Sequence, residues 1–121
     1  MPLATTPSST PDGTVAMHRQ LKIKVDATKR LRKEHNLYRE EAQAQEQKLS
    51  KLANENAEEW ELKHAKRIAE ESQRMVKDTR DRLDKVVQEL TSFVASIKNK
   101  PEFENDEELV KAEEALTAAS V

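Results

Sequence analysis

From Leu21 onward, water-avoiding positions recur at spacings of three and four: Leu21, Val25, Thr28, Leu31, His35, Tyr38, Ala42, Gln45, Leu49 and Leu52. Thr28, His35 and Gln45 are polar breaks in a stripe that otherwise keeps a heptad-like period, the signature of a helix that buries one narrow face. It predicts a first helix over about 18–53, roughly 50 Å long at 1.5 Å per residue. Asn56 followed three residues later by Glu59 reads as a capping box that opens a second helix. That helix, over about 57–99, carries the stripe Ala65, Ile68, Ser72, Met75/Val76, Thr79, Leu83, Val86/Val87, Leu90, Phe93/Val94 and Ile97. Pro101 ends it, because the residue before a proline avoids helical dihedrals. A third helix, over about 105–120, follows from Leu109, Ala112, Leu116 and Ala119, with Asn105 and Glu108 as its capping box.

The second stripe changes width. It is one residue wide near Ile68 and two wide from Val86 on; a helix facing two partners needs the wider stripe. Short connections reverse direction, so the third helix belongs beside the C-terminal half of the second. The fold expected is all-α: an elongated up-down-up three-helix bundle with left-handed coiled-coil-like packing and a short third helix. It would be three-stranded at one end and a two-helix hairpin at the other. Residues 1–17, rich in Pro, Ser and Thr, read as a disordered extension before a bundle over 18–121.

Composition narrows the alternatives. Gly13, the single glycine, and three of the four prolines fall in the first thirteen residues, which leaves little for the turns of a sheet or a phosphate loop. With no cysteine, disulfides, zinc ribbons and thiol chemistry drop out. No stretch approaches the ~20 apolar residues of a membrane span, and no secretory signal is legible at the N-terminus. A cytoplasmic protein without membrane contact is the expectation. Six Asp/Glu residues precede a Lys/Arg by four and support helix: Asp26–Arg30, Glu59–Lys63, Glu70–Arg74, Asp78–Arg82, Asp81–Lys85 and Glu107–Lys111.

Charge is graded along the chain. Residues 18–53 are net +5, residues 54–100 are neutral and residues 101–121 are net −6. An acidic third helix would start beside the basic beginning of the first. The densest cationic cluster is Lys22, Lys24, Lys29, Arg30, Arg32 and Lys33. Cations in a helix's first turns oppose its dipole, so local stability does not ask for them, and an acidic protein partner would. Nucleic acid fits poorly: net charge is −2, few aromatics interleave the basic residues, and zipper spacing is lost after Glu34.

Catalytic signatures are sparse. Glu61-Leu62-Lys63-His64 spells the Glu-x-x-His of di-iron bundles, but that chemistry needs two copies and the sequence holds one. His18, His35 and His64 lack metal-ligand spacing, and His35 falls on the seam as a hydrogen-bonded core residue. No nucleophile elbow occurs, and a narrow bundle offers little concave volume. The expectation is a non-enzyme with no cofactor and no metal. Trp60, the sole tryptophan, is expected to pack over Leu49 or Leu52.

Arg19-Gln20-Leu21-Lys22-Ile23-Lys24, Lys29-Arg30-Leu31, Lys33-Glu34, Tyr38, Glu41-Ala42, Gln45-Glu46 and Lys48-Leu49 fall in ungapped order. They resemble the opening helix of the tubulin-binding cofactor A family. Glu71-Ser72, Met75-Val76, Asp78 and Arg82-Leu83 resemble its second helix. The sequence departs from the family pattern at Val25-Asp26, where Thr-Gly is usual, at Lys77, where a kinking proline is common, and in its longer N-terminal tail.

The resemblance implies a three-helix bundle that binds and stabilises β-tubulin released from the cytosolic chaperonin and hands it on for α/β-tubulin assembly. It implies no nucleotide, metal or covalent step, contact with other tubulin-folding cofactors only indirectly, and a cytoskeleton-associated protein. β-Tubulin is acidic, so the partner-binding residues expected are Lys22, Lys24, Lys29, Arg30, Arg32 and Lys33, with Tyr38 on the seam beside them. A monomer and a homodimer both fit. The alternatives are a spectrin-like scaffold, against which the short third helix argues, and a coiled-coil oligomerisation module.

Overall fold

The computed structural model describes residues 10–120. Three α-helices account for most of them: α1 (Thr10–Asn54), α2 (Glu59–Ile97) and α3 (Glu107–Ala119), with a 3-10 turn at Pro101–Phe103 before α3. The architecture is the expected all-α three-helix bundle. The chain divides into two compact units, the first joining residues up to Arg30 with those from Lys85 on, the second spanning Leu31–Asp84.

The first unit holds three helical segments around an apolar cluster of Leu21, Val25, Leu90, Val94, Ile97, Phe103, Ala112 and Ala115. Met17, Phe93, Leu109 and Leu116 pack against it. The wide part of the second stripe lies here, as a helix with two neighbours requires. The second unit is a hairpin of two helices. Its buried side chains are small or polar for the most part: Leu31, Ala42, Ala65, Ala69 and Leu83, with His35 and Thr79. Alanines let two backbones approach closely but bury little area each.

Helix ends differ from the sequence reading in instructive ways. α1 starts at Thr10, ahead of the expected start at His18, so residues 10–17 of the expected extension form its first turns; residues 1–9 and 121 lie outside the described residues. Pro11 is tolerated because the first helical N–H groups have no partner in any case. Thr14, Met17 and His18, all half-buried, continue the seam of Leu21 backward at helical spacing and hold this segment down.

Asn56 closes α1 instead of opening α2. It sits at φ 56°, Ala57 N–H donates to the Leu52 carbonyl (3.0 Å) and Asn56 N–H to the Ala53 carbonyl (3.3 Å). That pair of bonds is a Schellman stop, in which asparagine takes the left-handed position usually given to glycine. Asn105 likewise turns the chain at φ 60°. The N-cap of α3 is its neighbour Asp106, whose Oδ2 accepts the Leu109 N–H at 3.1 Å. Lys100, before Pro101, is extended (φ −79°, ψ 136°), as steric conflict with the proline ring demands.

Glu59–Lys63 (3.4 Å) and Asp78–Arg82 (3.0 Å) form the ion pairs expected of them. Asp26 and Asp81 meet the lysines four residues earlier, Lys22 (3.2 Å) and Lys77 (3.1 Å), and Lys111 meets Glu108 (3.4 Å). These exposed pairs contribute about 0.3–0.5 kcal/mol each. Lys77 lies inside one continuous helix.

Candidate functional site

The expected partner-binding residues divide between the units. Lys22, Lys24, Lys29 and Arg30 belong to the first; Arg32, Lys33 and Tyr38 belong to the second. In the first, Lys22 and Lys29 are seven residues apart on α1, so they share one flank of the helix beside the buried seam of Leu21, Val25 and Thr28. Both are exposed, and Arg30 beside them is too. Asp26 interrupts this face and takes one ion pair from Lys22.

Lys24 behaves differently. It is half-buried and its Nζ lies 5.7 Å from the Phe93 ring centroid, a cation held against an aromatic face of α2. Its charge is less open to a partner than that of its neighbours. Within the second unit Arg32 and Lys33 are exposed and Tyr38 is half-buried on the seam.

Exposed apolar side chains are the feature that stripe analysis missed. Ile23 is 55% exposed in the first unit and Leu37 56% exposed in the second. Each falls between the seam positions of α1, and that absence of a periodic partner was the available signal. Trp60 is 69% exposed, which corrects the expectation that it packs over Leu49 or Leu52. Its ring forms one wall of a cavity of about 150 Å³ lined also by Leu52, Glu61, His64 and Ile68. Trp60 lies in the first turn of α2, five residues before Ala65, which is off the helical spacing of the buried stripe.

His35 and Thr79 are the polar heart of the second unit. Thr79 Oγ1 is 3.0 Å from His35 Nδ1 and can donate to the Met75 (2.9 Å) or Val76 (3.0 Å) carbonyl. With that proton committed to a carbonyl, Nδ1–H donates to the threonine oxygen. Burial, with Arg39 and Arg80 nearby, pushes the His35 pKa below 6.5; the Val76 carbonyl and Asp84 pull against the shift. Neutral imidazole is therefore the native form at neutral pH.

Glu61 is half-buried and His64 exposed. Among the described residues, no three His, Cys, Asp or Glu side chains converge as metal ligands, and no helix is long and apolar enough to cross a membrane. The described part of α1 presents exposed cations and isolated exposed apolar side chains on a three-helix bundle. Comparison with known proteins gives the bundle a family. The model of the family described as tubulin binding cofactor A matches residues 16–116. Tubulin-specific chaperone A of Gallus gallus is 36% identical over 103 residues, covering 85% of this chain and 87% of the relative. The Homo sapiens protein of the same name is 35% identical with the same coverage. Two solved structures share the fold: human tubulin chaperone cofactor A (TM-score 0.75, 31% identity, 87% of this chain and 99% of that one) and tubulin folding cofactor A from Arabidopsis thaliana (TM-score 0.76, 25% identity, 88% and 97%). The chain belongs to the tubulin-binding cofactor A family.

Proposed function

We propose that this protein is a non-catalytic, ATP-independent chaperone that binds β-tubulin after its release from the cytosolic chaperonin and passes it on for assembly with α-tubulin. The observation that carries the reading is the outward-facing basic segment of α1, in a chain whose relatives are named tubulin-specific chaperones. Lys22, Lys29, Arg30, Arg32 and Lys33 are all exposed. A cationic helical surface attracts an acidic partner over a Debye length and raises the encounter rate. Exposed Ile23 and Leu37 supply apolar contact within each unit's share of that segment. Lys24 and Tyr38, both half-buried, contribute less to the contact than the exposed cations. Binding and release of a whole polypeptide need no enclosed pocket, and the reading has the protein at work in the cytosol.

The test is gel filtration of the purified chain with β-tubulin freshly released from chaperonin, repeated with α-tubulin and at rising salt. A nucleotide-free complex with β-tubulin alone, weakening as salt screens it, is expected. The triple reversal Lys29→Glu, Arg30→Glu, Lys33→Glu should weaken capture at least about tenfold at low salt, with helicity unchanged by circular dichroism. Full capture by the folded triple variant would remove the basic segment from the site. Absence of any complex would overturn the function.

A further inference from the structure

His18 lies in the first unit, where it joins α1 to the beginning of α3. Its Nδ1 is 2.9 Å from the Thr14 carbonyl and its Nε2 is 2.7 Å from Asp106 Oδ1. Both partners are acceptors without a proton to give. A neutral imidazole carries one N–H and can serve one of them; the imidazolium serves both. The 2.7 Å contact is the length of a charge-assisted bond. The imidazole also stacks on Phe103, centroids 4.3 Å apart at 21°. Phe103 is fully buried in the apolar cluster, so the ring of His18 covers the bulkiest side chain of that core.

Asp106 links this contact to the helix that follows. One carboxylate oxygen takes His18 while the other caps α3 through Leu109 N–H. Removing the histidine proton therefore loosens the N-cap residue as well as the contact with α1. We propose that His18, Asp106 and Phe103 form a proton-dependent latch: doubly protonated His18 holds the start of α3 on α1, and loss of one proton frees α3 to open the apolar cluster beneath it.

Two carboxylates act on His18, and both raise its pKa. α3 contributes Asp106 and Glu108, and the 3-10 turn contributes the uncharged ring of Phe103. Glu108 is itself met by Lys111, which tempers its pull. The Thr14 carbonyl leads in raising the His18 pKa above 6.5, burial opposes it, and Asp106 and Glu108 add to the rise. A group with its folded pKa raised contributes stability that is fully present below the unfolded value and is lost as pH rises through the folded one. The latch is closed in mildly acidic solution and releases as pH climbs past the raised value.

The decisive experiment uses the full chain labelled with 15N. The His18 ring nitrogens are titrated by NMR, and amide exchange in α3 is followed over the same pH range after correction for intrinsic exchange. His18 should titrate above 6.5, and the α3 opening constant should rise several-fold as its proton leaves, with the Leu31–Asp84 unit as internal reference. His18→Gln should abolish the pH dependence. Asp106→Asn keeps a capping oxygen, removes the charge and should return the His18 titration toward 6.5, so it answers the question if the first variant folds poorly. Titration of His18 at or below 6.5 would overturn the latch, as would identical α3 profiles in the wild type and either folded variant.

Discussion

Thr79→Val is the most informative single change in the hairpin unit. Valine keeps the shape of threonine and removes only the hydroxyl. Thr79 is 1% exposed and His35 6% exposed, so water cannot replace the oxygen that His35 Nδ1 meets at 3.0 Å. The threonine bonds to the Met75 and Val76 carbonyls are a small loss, since helical carbonyls already accept within the helix. What remains is a buried ring that keeps the Val76 carbonyl and has lost its hydroxyl partner, which costs about 0.5–1.5 kcal/mol. At this chain length that is roughly 5 °C in Tm per kcal/mol. The double variant His35→Leu/Thr79→Val removes both partners, and replacing a buried polar pair by apolar groups of similar size is close to neutral. Urea titrations followed by circular dichroism give both values, provided the slope m is common to all variants. The double variant should be more stable than Thr79→Val alone. If Thr79→Val lies within about 0.3 kcal/mol of wild type, or if the two single effects simply add, the His35–Thr79 bond does not organise this unit.

Two further changes test the first unit. Phe103→Ala empties a fully buried aromatic site and should cost about 3–5 kcal/mol, read as a fall in the urea midpoint and a loss of α3 exchange protection; a change below 1 kcal/mol would show that Phe103 is not a core residue. Gly13→Ala should stabilise α1 by about 0.5–1 kcal/mol, because a methyl group there meets no atom within 4 Å and the position is helical; a loss of stability by the same urea assay would contradict the helix reported for residues 10–17.

Every position of the first and second stripes is buried or half-buried, so the helices and their inner faces were legible from spacing alone. Burial of one face is a periodic property, and periodicity survives in sequence. The features that escaped are single residues. Phe103 stands alone in a connection and has no repeat to announce it, although it is the largest fully buried side chain. Asn56 and Asn105 carry the same Asn-x-x-Glu signal as a capping box, but asparagine also tolerates the left-handed turn, and both residues took it. The acid that does cap α3, Asp106, sat one position further on. The cationic cluster was legible as a segment, yet Lys24 faces Phe93 of another helix, a partner that the charge pattern of α1 cannot reveal.

The two histidines that bond within the bundle act on stability with opposite sign. His35, its pKa lowered chiefly by burial, contributes stability that is complete above 6.5 and is lost as pH falls below 6.5 toward its depressed value, because the unfolded chain binds the proton more tightly. His18, its pKa raised chiefly by the Thr14 carbonyl, contributes stability that is complete below 6.5 and is lost as pH rises through its elevated value. Each effect belongs to a different unit. Acid below 6.5 therefore weakens the hairpin unit, whereas pH rising above 6.5 toward the raised His18 value loosens the unit that holds α3. Exchange read residue by residue should show the hairpin unit losing protection below 6.5 and the α3 unit above it, and His35→Leu/Thr79→Val should erase the acid-side loss without touching the other. Parallel loss of protection in both units as pH falls would mean that His18 does not gain a bond with its proton.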